Sequence, residues 1–91
     1  MASTITSVTP LGNIGRHNAS LVVITCGGGE TVFSNDMAKY IGVPVAVFNH
    51  WTTSTTTGGD VYIDPSAPTT LAGANFSAAA VVSMVVLHTP K

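Results

Sequence analysis

Apolar residues in this chain come in short blocks with a period of two, separated by glycine, proline and threonine. That spacing predicts β-strands, because successive side chains on a strand point to opposite faces. The block richest in pattern is Val43 to Thr57 (VPVAVFNHWTTSTTT), apolar in its first half and threonine-rich in its second. Its β-branched and aromatic residues suit a pleated surface, and it is expected to form the central strand of a small sheet. Val43, Val45, Val47, Asn49 and Trp51 would share one face, and Pro44, Ala46, Phe48, His50 and Thr52 the other. Both faces carry apolar groups, which predicts cover on both sides.

Ala19 to Cys26 (ASLVVITC) reads the same way, with Leu21, Val23 and Thr25 opposite Val22, Ile24 and Cys26. Ala78 to Thr89 (AAAVVSMVVLHT) is a further strand. Its valines decide against a helix, where β-branched side chains lose rotamer freedom. Val81, Ser83, Val85 and Leu87 would face one way, and Val82, Met84, Val86 and His88 the other. Thr4 to Thr9 is a first strand of imperfect alternation, since Ile5 and Val8 differ in parity. It is expected at an edge and to end at Pro10, with Leu11 to Asn18 a loop carrying Arg16 and His17 at its tip. Gly27-Gly28-Gly29 before Thr31 to Phe33, and Gly58-Gly59-Asp60 before Val61 to Asp64, read as two hairpin turns. Leu71 to Ser77 is compatible with a turn or a distorted strand.

One stretch has helical spacing. In Ser34 to Ile41 (SNDMAKYI), Met37, Tyr40 and Ile41 fall at i, i+3 and i+4. Ser34 or Asn35 can cap, Asp36 suits the first turn, and Gly42 and Pro44 terminate the segment. At about two turns it depends on packing for its stability. These elements predict a single domain spanning residues 1–91, mainly β: a small sandwich or barrel of about six strands with one short helix.

Composition sharpens the picture. Of 91 residues only 8% are charged, and the net charge is −1, against roughly 25% charged in a typical soluble protein. Arg16, Lys39 and Lys91 form no basic patch, so nucleic-acid binding and attraction to an acidic membrane have no electrostatic basis. Charge is depleted in interface cores, and a domain this small gains from partner subunits. The chain is therefore expected to be a homo-oligomeric subunit. The N-terminus lacks the features of a signal peptide and no apolar run is long enough to span a bilayer, so synthesis in a cytoplasm is expected.

Candidate chemistry is sparse. Cys26 is the only cysteine, so no internal disulfide can form. Together with His17, His50 and His88 it stands at no zinc-finger spacing, and neither metal nor cofactor is expected. A nucleophilic Cys26 would need His17 or His50 brought beside it; at the end of an apolar strand it reads as a small hydrophobe. The glycine run lacks a phosphate-loop pattern. Glu30, Asp36, Asp60 and Asp64 stand mostly at turn or cap positions. No catalytic residue is predicted. His50-Trp51 is the dipeptide best suited to an interface, since Trp is enriched at hot spots, and Met84 and His88 would extend such a surface.

The opening Met-Ala-Ser-Thr with its Thr/Val/Ser strand, the glycine-marked turns and the closing VVSMVVLHTPK give the chain an overall style. In that style it resembles small virion proteins of tailed bacteriophages, especially head decoration or cement proteins. The resemblance implies a β-rich, commonly trimeric protein on the outer capsid surface, clamping neighbouring major capsid protein subunits. It carries over no functional residue. Thr4, Ile5, Thr6 and Val8, on an edge open to strand addition, and His50, Trp51 and Met84 are the expected interface residues. Deletion of residues 2–9 would then weaken capsid binding and leave the fold intact. Another virion part (tail tube, connector or fibre base) and a small ligand-binding or hydrolytic barrel are the alternatives.

Overall fold

In the computed structural model, which describes residues 3–53 and 59–90, seven antiparallel strands form two sheets. They are β1 (Thr4–Ile14), β2 (His17–Thr25), β3 (Phe33–Asp36), β4 (Pro44–Thr52), β5 (Asp60–Ile63), β6 (Thr70–Ala74) and β7 (Val81–His88). One sheet has the order β1-β2-β7-β4, the other β3-β6-β5. The architecture is of the expected mainly-β class and resolves the choice between sandwich and barrel as a sandwich, with one strand more than foreseen and, against expectation, no helix among the described residues.

The core lies between the sheets. Val22 and Ile24 from β2 and Val82, Met84 and Val86 from β7 are fully buried against Phe33, Met37, Leu71 and Phe76. Each such side chain contributes about 1.5–3 kcal/mol by leaving water. Both strands present the faces that their alternation predicts. Phe33 and Phe76 meet with ring centroids 5.9 Å apart, tilted by 33°.

The Val43 block is not central. β4 is an edge strand paired only with β7. Register shifts between Pro44 and Ala46 and between Val47 and Asn49 mark bulges that leave Val45 and Phe48 without a partner. A bulge inserts one residue and reverses the facing of all that follow. Val47 therefore joins His50 and Thr52 on the inner side, opposite Val86, Met84 and Val82, while Ala46, Asn49 and Trp51 look outward. Residues 54–58, the rest of the threonine run, lie outside the described residues.

A bulge also resolves the parity of β1. The register skips Thr6, so Ile5 stands opposite Ile24 and Val8 opposite Val22, and both pack on the core. The strand does not stop at Pro10 but runs on to Ile14, and the expected loop is the far half of a long hairpin. Proline is tolerated because an edge strand has one side with no ladder to supply. The hairpin closes at Gly15-Arg16, where Gly15 takes φ +61°, as the first central position of a type II′ turn requires. Arg16 is at the tip, as expected, whereas His17, expected beside it, is the first residue of β2, paired with Ile14.

Gly27-Gly28-Gly29 makes no hairpin, since β2 and β3 lie in different sheets and their connection crosses the sandwich. The second signal, Gly58-Gly59-Asp60, falls partly outside the described residues; β4 and β5, on either side of it, also belong to different sheets. At the first, the N–H of Glu30 donates to the Gly27 carbonyl (3.0 Å), as does that of Ala79 (3.2 Å). Crossing lets each strand turn its apolar side to the same core. The helix is replaced for the same reason: residues 33–36 pair with β6, supplying the small sheet with an edge strand. Only one turn remains, with the N–H groups of Tyr40 and Ile41 donating to the Met37 carbonyl. Asp36, rather than Ser34 or Asn35, caps it, accepting from the N–H of Ala38 at 2.9 Å. Met37 and Ile41 are buried, Tyr40 exposed.

The undecided stretch at residues 71–77 contains most of β6, the middle strand of the small sheet. Gly73 pairs with Phe33, and a Cβ at that position would run into the Phe33 ring. Gly73→Ala should therefore lower stability by about 1–3 kcal/mol through overpacking. Urea unfolding followed by circular dichroism checks this; an unchanged midpoint would contradict the packing described.

Candidate interaction surface

Sandwich strands ordinarily turn a polar face to water. The four-stranded sheet does not. On its outer side Val85 of β7 lies between Leu21 of β2 and Asn49 of β4, and Ser83 lies between Val23 and Trp51. Leu87 follows between Ala19 and Ala46. Leu21, Val23, Val81, Val85 and Leu87 are half-buried, and Ser83 is only 6% exposed although it faces away from the core. The edge rows from β1 are Ser7 and Thr9. No Asp, Glu, Lys or Arg belongs to this face. Among the described residues those groups sit at Arg16 in the hairpin turn, Glu30 and Lys39 in loops, Asp36 on β3, Asp60 on β5 and Asp64 beyond it.

The β4 edge adjoins this face. Phe48 is 67% exposed and Val45 46%, both at bulges, and Trp51 is 40% exposed. Residues 40 to 59 contain no charged side chain. The opposite edge, β1, is uncharged along all eleven residues and mostly exposed. Its ladder groups are blunted only by Pro10 and two bulges, where native edges usually carry charge.

The structure divides the expected interface residues. Thr4 and Thr6 are exposed on the β1 edge, with the Thr6 hydroxyl 2.7 Å from that of Thr25. Ile5 and Val8 belong to the inner side of that strand, packed on the core. Trp51 is on the outer face. His50 turns inward, half-buried, its ring edge-on to Phe76 at 6.5 Å. Met84 is a correction: it is fully buried at the centre of β7 and cannot meet a partner. His88, also buried, does not extend the surface either. Both lie on the even positions of β7, which all face the core. Phe48 and Val45 were legible only as members of an alternating strand. The bulges that expose them leave no mark in the residue types.

Polar chemistry gathers at one other place. A cleft of about 520 Å³ opens between the β1–β2 hairpin and the 37–41 turn, bordered by Pro10, Asn13, Lys39 and Tyr40. Ser20 and His88 lie at its buried end, with Ser20 Oγ and His88 Nε2 2.8 Å apart. His88 Nδ1 is 2.7 Å from the Thr89 carbonyl. A carbonyl only accepts, so Nδ1 carries a proton, and in the neutral ring Nε2 then accepts from the serine hydroxyl. The arrangement satisfies both buried groups. Ser20 stands mid-strand with ladder partners on both sides, Pro10 and Val86, far from the exposed turn on which serine nucleophiles are usually presented.

Cys26 is buried, and its thiol is pushed up by that burial and by the Glu30 carboxylate, which disfavours the nucleophilic thiolate. Asp64 is lowered by the N–H and hydroxyl of Ser66, both donating to it, and Asp36 by the N–H of Ala38 and the hydroxyl of Thr69. These carboxylates fasten turns. No cluster of three metal-ligating side chains occurs among the described residues. No family model, no curated protein and no solved structure matches this chain.

Two outcomes test these assignments. Ser20→Ala leaves Nε2 of His88 without its donor and should cost about 1–3 kcal/mol of stability, read from urea unfolding; an unaltered midpoint would contradict the buried pair. Asp36 and Asp64 have lowered folded values, so their stabilisation is present above the ordinary carboxylate pKa of about 4 and is lost as pH falls through the lower folded values. Asp64→Asn should flatten the fall in urea midpoint between about pH 5 and pH 2. An acid limb as steep as that of the wild type would contradict the role given to Ser66.

Proposed function

We propose that this chain is a structural subunit of a virion, a capsid decoration or cement protein of a tailed bacteriophage. It binds the outer capsid surface and stabilises contacts between major capsid subunits. The observation that carries this reading is the surface: a sheet whose outer face and both edges are built from threonine, serine, asparagine and aliphatic or aromatic residues without a single charge. Such a surface favours association over free solution. The resemblance noted in the sequence supplies the virion context. Several copies acting together turn modest contacts into avidity, which suits a cementing role.

The β1 edge is the part we assign to the capsid lattice, through strand addition. Because Ile5 and Val8 pack on the core, deleting residues 2–9 would damage the fold, and point changes on the exposed edge are the proper test. Thr9→Lys and Leu11→Lys, tested singly, should each weaken binding to capsids assembled without the chain by roughly tenfold or more, since an edge lysine opposes strand addition. Sedimentation of the chain with capsids measures this. Occupancy equal to that of the wild type, with the fold intact, would overturn the assignment of β1 to the capsid.

A further inference from the structure

We infer that the outer face of the four-stranded sheet is the self-association surface of the chain, covered by the same face of a second copy related by a twofold axis. The inference rests on reading the chain as an assembling subunit but not on its attachment to a capsid. Its basis is the pattern of β2 and β7, which are apolar on both faces. The inner faces are consumed by the core. The outer faces present Leu21, Val23, Val81, Val85 and Leu87, with Trp51 at the margin, and all seven described strands belong to the two sheets, so none lies over them.

Size and charge select the occupant. Four strands spaced about 4.8 Å apart and some eight residues long give a footprint of roughly 19 by 26 Å. That is about 500 Å² per copy before side-chain relief is counted, so a pair buries roughly 1,000 Å² or more, the least that a biological interface requires. A twofold contact sets each patch against itself. A face bearing charge would meet its own like charge there; this one bears none. A charged partner would instead lose hydration against an apolar sheet with nothing to pair it. Two stacked sheets packing about 10 Å apart with interdigitated aliphatic side chains are an ordinary arrangement of β layers.

The test is made on the purified chain, without capsids, by sedimentation equilibrium. The wild type should associate to twice the chain mass. Val85→Lys, at the middle of the face, should raise the concentration at which pairs form by about a hundredfold or more, by burying an unpaired charge, with the β-sheet circular dichroism retained. Tyr62→Lys, at an exposed position of β5 in the other sheet, should leave pairing unchanged. As a second readout that survives a poorly folding lysine variant, Val85→Cys should give a disulfide-linked dimer under mild oxidation. A wild type that stays monomeric, or associates to three copies, overturns the proposal. So does dissociation caused by Tyr62→Lys but not by Val85→Lys, or a folded Val85→Cys protein that does not cross-link. A chain that pairs in this way but ignores capsids refutes the capsid assignment and leaves this one standing.

Discussion

Eight consecutive residue pairs join β2 to β7, from Asn18 opposite His88 to Thr25 opposite Val81, without a register shift. Every other feature is arranged around that ladder. A slip of one residue would exchange Val22, Ile24, Val82, Met84 and Val86 for Leu21, Val23, Ser83, Val85 and Leu87. Because both sets are largely aliphatic, hydrophobicity alone discriminates weakly between them. Ser20 and His88 help to fix the choice. Both are inward-facing, and their hydrogen bond spans neighbouring strands, so a slide of one past the other would break it. The flanking strands differ in kind. β1 and β4 each reach the central pair through bulges, which allow irregular sequences to keep an apolar side inward.

The same both-faced pattern links the fold to its use. A chain of this length can enclose only one small core, and this core takes the even-numbered side of β2 and β7. The odd-numbered side is left with aliphatic groups, flanked by exposed aromatic residues on β4. Charged residues are held at turns and on the smaller sheet. Asp36 and Asp64 are spent on capping turns, and Arg16 occupies the hairpin tip. The distribution separates a side suited to water from a side suited to protein. The Ser20–His88 pair stands at the buried end of a cleft beside the core, with both of its polar groups partnered.

Much of the architecture was legible in the sequence. The two alternating sets of side chains on β2 and β7 and the mainly-β class follow from periodicity and composition. What was not legible was long-range. Gly27-Gly28-Gly29 marks a turn, but the residues alone do not say whether the next strand returns beside β2 or crosses to the other sheet. Ser34 to Ile41 carries correct capping and apolar spacing for a helix, yet its first residues are worth more as the edge of the small sheet. Val43 to Trp51 looks like a doubly covered strand because bulges at Val45 and Phe48, invisible to periodicity, turn its apolar residues outward at an edge. Of the site, the uncharged character and Trp51 could be read directly. The exclusion of Met84 required knowing which side of β7 faces the core.

The central claim is that this surface exists to be covered by protein. The most direct measurement is the solution mass of the purified wild-type chain by light scattering after size exclusion, over a wide range of concentrations. The account predicts a mass above that of one chain, persisting on dilution. A chain that remains strictly monomeric and soluble when concentrated would contradict it.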